Sequence, residues 1–325
     1  MKNSRNFIVG YQQFAMLPPD GVTGLAAYQW MLENCKQLGA HAVSLAPVLQ
    51  EPEDWDVAAL DVRDAGKLRE MSAMAKEADV HFIMNIRSAM SLAGKNHPAT
   101  GAAPQFDLAS ARLLAEKAVE AAEIFGVDTF GCAYGRLQTQ LTRYNKNAPF
   151  DQVKEFVKAN LKELSHILRG TGITAAYENH CDFKGREIAQ ILEEVDAPEI
   201  KAMYDIGNGA TICCDAMEDV GYLAPWAVAA HFKDFKLVDN SAFRQDWQDM
   251  PMILKGCLLG EGYLDFDVIM QAIIEKAPKK KDMIILAEPA FILPETEEDK
   301  VDIKEFDRKC SRQFVQFMLD LVDRY

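Results

Sequence analysis

The stretch Ala176-Tyr177-Glu178-Asn179-His180 ends an apolar run with polar side chains, and three later segments repeat its pattern: Met203-Tyr204-Asp205-Ile206-Gly207-Asn208, Ala230-His231-Phe232-Lys233-Asp234 and Leu286-Ala287-Glu288-Pro289. The steps between their metal-competent side chains are 27 residues (178 to 205), 26 (205 to 231) and 57 (231 to 288). Each of the first two steps has the length of one strand, one helix and their connections. Because parallel α/β folds carry their chemistry at the carboxyl ends of strands, we predict that these side chains meet at one edge of such a sheet.

The rest of the sequence alternates β-rich runs with amphipathic helical windows. Eight runs are predicted as strands: Phe7–Gly10, Ala42–Ala46, Val80–Ile86, Val127–Ala133, Ile173–Glu178, Ile200–Tyr204, Val228–Phe232 and Met283–Ala287. Eight windows are predicted as helices: Leu25–Leu38, Ala65–Ala78, Leu108–Phe125, Val153–Leu168, Arg186–Val195, 213–223, Phe266–Lys276 and 302–324. An open doubly wound sheet has a single crevice for its functional residues, at the point where the strand order reverses. Here polar residues lie at the ends of several successive strands, which favours a closed barrel. We therefore predict an α/β fold, a single (β/α)8 TIM barrel domain over residues 1–325.

The composition restricts the class of partner. The chain has 325 residues, of which 49% are hydrophobic, and a formal net charge of −14. A surface of this sign repels phosphate backbones, so we expect no nucleic acid partner. We also expect no membrane partner, because the sequence lacks an apolar run of about 18 residues. Its seven cysteines follow no regular spacing, which favours free thiols and a cytoplasmic location.

Three connections that follow strands are long, namely 87–106, 134–150 and 234–264. In a barrel all three lie on the catalytic face, where insertions shape substrate pockets. The third connection accounts for the 57-residue step before Glu288. Arg136, in the second, is a candidate contact for a substrate or an anion.

One divalent cation is predicted to have four ligands: Glu178, Asp205, His231 and Glu288. A single such carboxylate is more often a helix cap or a solvated loop residue, but four at strand ends point to a site. Three carboxylates and one imidazole favour Mn²⁺, with Mg²⁺, Co²⁺ and Zn²⁺ as alternatives. Lys233 or Arg136 would offset the remaining negative charge.

Such a cation would polarise a sugar carbonyl and acidify the proton on the adjacent carbon. We expect Glu178 and Glu288 to act as the acid/base pair, one removing that proton to give an enediolate and the other returning a proton. Asp205 and His231 would serve as fixed ligands.

Three neighbouring side chains are candidates for support of this chemistry. His180 is either a substrate or ligand contact or an ordinary hydrogen-bonded histidine, and Lys233 is either a cation of the site or a rim charge. Asp234 is expected to orient His231 or Lys233.

These segments resemble the xylose-isomerase-like barrel superfamily of sugar and sugar phosphate isomerases and epimerases. The resemblance rests on five motifs: Glu178-Asn-His, Asp205-Ile-Gly-Asn208, His231-Phe-Lys-Asp234, Gly260-Glu-Gly-Tyr-Leu-Asp265 and Glu288. It implies a metal-dependent enzyme for a small carbohydrate or keto-sugar derivative, with Glu178 and Glu288 as its acid/base glutamates. It also implies a homo-oligomer or, as in some lyases of the superfamily, a small accessory subunit.

The sequence differs from two groups of this superfamily in its histidines. Ketose 3-epimerases carry a histidine three residues after the aspartate ligand, where this chain has Asn208, which argues against a free ketohexose and leaves Asn208 as a candidate substrate or ligand contact. Endonuclease IV needs a histidine cluster, but only His97, His180 and His231 can reach the catalytic face here.

The superfamily also contains lyases, such as inosose dehydratase and C-glycoside deglycosidases, that expel a leaving group after the same first step. An isomerase or epimerase is our first prediction, and a lyase acting on a keto-sugar or 3-keto-glycoside is the alternative.

Overall fold

Parallel pairing closes eight strands into a barrel in the computed structural model, which describes residues 6–52, 58–135, 143–240, 251–279 and 281–325. The strands in these ranges are β1 (Phe7–Tyr11), β2 (Ala42–Val48), β3 (Ala59–Asp61), β4 (His81–Asn85), β5 (Thr129–Cys132), β6 (Thr174–Glu178), β7 (Ile200–Asp205), β8 (Ala227–Phe232), β9 (Asp234–Asp239), β10 (Met252–Cys257) and β11 (Met283–Ala287). The barrel order is β1, β2, β4, β5, β6, β7, β8 and β11, and β1 closes the ring because it pairs with both β2 and β11. The predicted (β/α)8 barrel is confirmed.

Helices connect the strands around the outside of the barrel: α1 (Gly24–Leu38), α2 (Ala65–Ala78), α3 (Leu108–Phe125), α4 (Phe150–Leu168), α5 (Gly185–Val195), α6 (Asn208–Thr211), α7 (Ala216–Leu223), α8 (Phe266–Lys276), α9 (Glu297–Val301) and α10 (Ile303–Val322). The carboxylates of Asp64, Asp107 and Asp265 accept hydrogen bonds from first-turn amides and so fix the starts of α2, α3 and α8. Gly39 and Gly126 end α1 and α3 in the left-handed conformation, which glycine adopts without strain. None of the helices in the described ranges is both long and apolar enough to cross a membrane.

The structure adds three short elements that were not predicted, β3, α6 and α9, and it differs from the prediction in two longer segments. The helix expected at 213–223 begins only at Ala216, because the Asp215 carboxylate accepts a hydrogen bond from the Met217 amide and caps it there. The connection 234–264, expected as a loop, contains the antiparallel hairpin of β9 and β10. Charged and apolar residues alternate over the first four residues of β9, a pattern that suits a half-exposed strand but is too short to stand out in the sequence.

Two apolar layers hold the barrel together. The larger lies between the strands and the surrounding helices. The smaller fills the barrel interior and consists of nine buried side chains: Ile8, Ala42, Ile83, Ala176, Met203, Val228, Ala229, Ile284 and Leu286. This inner layer forms the floor beneath the carboxyl ends of the strands.

Replacing Gly10 by alanine is expected to destabilise the protein by about 1–3 kcal/mol, the usual cost of overpacking. Gly10 lies opposite Ala42 where β1 meets β2, and an added Cβ would be 2.1 Å from the Ala42 carbonyl oxygen. Gly221, inside α7, has open space around its Cα, so Gly221→Ala should be neutral or stabilising. Urea unfolding of both variants tests this contrast, and equal stabilities would contradict it.

Candidate metal centre

The predicted site residues form the next inward-facing layer above the apolar floor of the barrel. Side chains alternate between the two faces of a strand, so a residue two positions beyond an inward-facing one also points inward. This rule links four pairs: Ala176 with Glu178, Met203 with Asp205, Ala229 with His231 and Leu286 with Glu288. Their strands, β6, β7, β8 and β11, are consecutive neighbours in the barrel. The fold therefore brings all four to one side of the barrel mouth.

Three candidate ligands converge in this mouth. One ligand atom from each of Glu178, Asp205 and His231 lies within 4.8 Å of the others. The His231 Nδ1 atom is 3.9 Å from Oε1 of Glu178 and 3.1 Å from Oε2 of Glu288. Glu288, the fourth predicted ligand, thus reaches the cluster through its contact with His231.

Lys233 links two of the carboxylates. Its Nζ atom is 2.8 Å from Oδ2 of Asp205 and 3.1 Å from Oε1 of Glu288, and it also donates a hydrogen bond of 3.2 Å to Oδ1 of Asn208. The Asn208 amide group donates to the same Oδ2 atom of Asp205. Lys233 is 2% exposed, so it is a cation of the site and not a rim charge.

The site places several carboxylates close together in a buried position. Burial raises the pKa of Asp205 well above its usual range; Lys233 opposes this, whereas the charges of Glu288 and Glu178 add to it. Burial would lower the pKa of His231, but Glu178, Glu288 and Asp205 outweigh it and raise the value to about 9. Burial would raise the pKa of Glu288, but Lys233 and His231 outweigh it and hold the value at about 2. A divalent cation near these carboxylates, in place of the proton on His231, would therefore be stabilising.

The donor set fits a hard divalent cation. The Oδ1 atom of Asp205 is buried and has no hydrogen-bond partner among the described residues, although Oδ2 has two. A buried carboxylate oxygen without a partner is costly, and a cation would supply the missing interaction. Carboxylate oxygens with one imidazole nitrogen suit Mg²⁺, Mn²⁺ and related ions.

The comparisons with known proteins agree with this architecture. A family model described as the xylose isomerase-like TIM barrel matches residues 16–289. The chain belongs to the xylose isomerase-like TIM barrel family. The matched stretch contains all four predicted ligands, so the resemblance seen in the sequence is confirmed at the level of the family.

Three proteins compared individually are only distantly similar to this chain. A stretch of 101 residues is 29% identical to the 3-oxo-isoapionate decarboxylase of Pectobacterium atrosepticum; it covers 31% of this chain and 34%, about a third, of that relative. A xylose isomerase-like TIM barrel protein from Mycobacterium smegmatis, solved in complex with magnesium, superposes with a TM-score of 0.68 at 11% identity, over 99% of this chain and 98% of that one. The D-psicose 3-epimerase of Clostridium cellulolyticum H10, solved with D-tagatose, gives 0.63 at 13% identity, over 97% and 99%. At these identities the two structures establish the shared fold.

Other predicted residues of this family member take different places. The His180 Nδ1 atom is 3.1 Å from the Gly135 carbonyl oxygen, which ties two loops of the catalytic face together. The Asp234 carboxylate was expected to orient His231 or Lys233. In the described residues it instead accepts hydrogen bonds from backbone amides of Phe235 and of the 260–264 segment, because β9 begins at Asp234 and turns it towards that segment. Arg136 lies outside the described residues.

Sequence reasoning missed three polar side chains beside the site. The Gln12 Nε2 atom is 2.7 Å from Nε2 of His231, and the Ser44 hydroxyl donates to the side-chain Oε1 atom of Gln12. Asn179 braces Asp205 through two hydrogen bonds between its side-chain amide and the Asp205 backbone. The signal for Gln12 was available, because it directly follows β1 just as Glu288 follows β11.

Proposed function

We propose that this chain is a divalent-metal-dependent enzyme that removes a proton next to the carbonyl group of a small carbohydrate or keto-sugar, as an isomerase or epimerase. The observation that carries the proposal is the convergence of Glu178, Asp205 and His231 within 4.8 Å, around a buried carboxylate oxygen to which no described residue donates a hydrogen bond. Membership of a family whose fold is shared with a sugar epimerase supports it.

The proposed chemistry divides between the cation and the protein. A divalent cation held by Glu178, Asp205 and His231, with Glu288 beside them, would polarise the substrate carbonyl and make the neighbouring C–H proton acidic. Glu288 is ionised at neutral pH, as a base must be, but its ion pair with Lys233 makes it a weak base. Proton removal therefore depends on strong polarisation of the carbonyl. Glu178, across the cluster, would deliver a proton to the resulting enediolate, while Glu288 keeps the proton that it removed.

A lyase is the second candidate, and the similarity to a 3-oxo-isoapionate decarboxylase favours it. When a 3-oxo acid decarboxylates, the bond to the carboxylate breaks, CO2 leaves, and its electron pair remains next to the ketone as an enolate. A protonated glutamate then delivers a proton to that carbon. Elimination of a leaving group from a 3-keto-glycoside would begin with proton removal, as in the isomerase. The same residues can thus serve either outcome.

One experiment separates these outcomes. The protein is incubated in D₂O, with Mg²⁺ or Mn²⁺, with a panel of ketoses, sugar phosphates, 3-keto-glycosides and 3-oxo sugar acids, and the products are analysed by NMR and mass spectrometry. Deuterium next to a carbonyl in a product of conserved skeleton would support the isomerase or epimerase. Release of CO2, water or an aglycone would support the lyase. If no substrate class reacts with either metal, the proposed function is wrong.

Metal binding is expected to release a proton at pH 7 and to tighten as the pH rises. The imidazole must be neutral to bind a cation, and its folded-state pKa of about 9 means that it is protonated at neutral pH. The apparent association constant should rise about tenfold per pH unit between about pH 6 and 8. Calorimetric titrations in buffers of different ionisation enthalpy count the released protons.

The matched control is His166→Gln on α4, outside the barrel, which should leave proton release unchanged. A metal affinity that stays constant from about pH 6 to 8 would contradict the assignment of His231 as a ligand.

A further inference from the structure

Gln12 and Ser44 form a polar pair against His231 that the proposed reaction does not use. Gln12 is 5% exposed and Ser44 is 3% exposed, and both face the barrel mouth from β1 and β2. The Gln12 Nε2 atom lies 2.7 Å from Nε2 and 3.3 Å from Nδ1 of His231. On its other side, the side-chain Oε1 atom of Gln12 accepts a hydrogen bond from the Ser44 hydroxyl. Gln12 precedes the 16–289 stretch that the family model matches.

The two ring nitrogens of His231 face different neighbours. Nδ1 faces the carboxylates of Glu178 and Glu288, whereas Nε2 is the nitrogen closest to Gln12. An imidazole that offers Nδ1 to a cation carries its remaining proton on Nε2. That proton needs an acceptor, since a buried donor without a partner is costly.

A carboxamide can meet either state of the ring. As placed here, Gln12 turns its Nε2 group towards His231, which suits a ring whose Nε2 carries no proton, and its Oε1 atom accepts from Ser44. A half-turn about its last side-chain bond would present Oε1 to His231 and direct the NH2 group at the Ser44 oxygen. Neither neighbour has to move, because a hydroxyl is both a donor and an acceptor.

We propose that Gln12, held by Ser44, is a positioning residue that accepts the Nε2 proton of His231 and thereby directs Nδ1 towards the carboxylate cluster. The inference rests on the proposed metal site and adds a residue that sets its affinity. When a histidine binds a metal through one ring nitrogen, removal of the hydrogen-bond partner of its other ring nitrogen lowers the metal affinity by roughly 10- to 100-fold. Gln12 would act in this way from a strand 219 residues away from its target.

The test compares Gln12→Met, Gln12→Glu and a matched neighbour. Methionine keeps the approximate length of the side chain but cannot hold the ring, whereas glutamate restores an acceptor. Gln13→Met is the control: Gln13 is equally buried, but its side-chain amide donates to the Met16 carbonyl. Ser44→Ala removes the support of Gln12 and leaves Gln12 itself in place.

Each protein is titrated with Co²⁺ by calorimetry and by the visible absorption of the bound ion, and its metal-free thermal midpoint is recorded. Gln12→Met is expected to bind Co²⁺ about 10- to 100-fold more weakly with an altered absorption band. The Co²⁺ affinity of Ser44→Ala should lie between those of Gln12→Met and the wild type. Gln13→Met should match the wild type in affinity and in absorption. Gln12→Glu should restore both the affinity and the band, and the band separates true repositioning from simple attraction by the added charge.

Two results would overturn the inference while leaving the metal site intact. One is a Gln12→Met protein with wild-type affinity and spectrum. The other is a Gln12→Glu protein whose Co²⁺ spectrum stays like that of Gln12→Met, since the acceptor would then have no role. If Gln12→Met fails to fold, Ser44→Ala decides, and an unchanged affinity and band in that variant would overturn the inference. A wild-type protein that binds no Co²⁺ would instead overturn the proposed metal site, and this inference with it.

Discussion

Glu288→Gln is expected to lower turnover by roughly 10²- to 10⁴-fold, the usual contribution of a positioned acid or base. Glutamine has nearly the same shape and can still accept the hydrogen bond from Lys233 Nζ, which lies 3.1 Å from Oε1. It cannot take up or deliver a proton. The loss should therefore appear in kcat and in deuterium exchange.

The matched control for this prediction is Glu123→Gln. Glu123 is an exposed glutamate near the carboxyl end of α3, at the side of the barrel opposite to the catalytic face, and its replacement should leave turnover unchanged. Both variants are compared on whichever substrate the D₂O panel identifies. Full turnover in Glu288→Gln would remove Glu288 from the acid/base pair, and the metal cluster of Glu178, Asp205 and His231 would remain as the core of the site.

Lys233→Met is expected to have the largest effect on stability, a loss of about 3–5 kcal/mol in the metal-free protein. The ammonium group is buried between Asp205 and Glu288, at 2.8 Å and 3.1 Å, and it is one of the cations that offset their charges. Without it the carboxylates repel one another in a site that water does not fully solvate. Urea unfolding in the presence of a chelator measures the loss.

A divalent cation should restore part of this stability. The carboxylate oxygens released from Lys233 become available to the cation, and a ligand that binds only the folded state stabilises it. Added Mg²⁺ or Mn²⁺ should therefore raise the unfolding midpoint of Lys233→Met more than that of the wild type. The control is Lys236→Met, at a half-exposed position on β9, where an ion pair of 4.0 Å contributes little. If the two lysine variants lose equal stability, the network is not structural.

Much of the fold was predictable because local patterns and global topology agree. The strands at Ala42, Thr174 and Met283 and helices such as α2 and α3 follow from apolar periodicity and from caps that the sequence displays, such as Asp64 and Gly126. The hairpin of β9 and β10 was missed because its pairing joins residues on either side of a long connection, and its exposed strands lack a continuous apolar pattern. Asp234 was misassigned for the same reason, since the amides it binds belong to segments that only the hairpin brings close.

The candidate site, too, was predictable only in part from the sequence. Alternation along a strand is a local rule, so the sequence by itself determined that Glu178, Asp205, His231 and Glu288 face one barrel mouth. Which of these side chains contact one another depends on how the barrel closes and on the register between its strands. The pairing of β1 with β11 brings Gln12 against His231, and the depth of the mouth places Lys233 between two carboxylates. These contacts join residues far apart in the chain, and their energies depend on burial, which no local pattern of residues specifies.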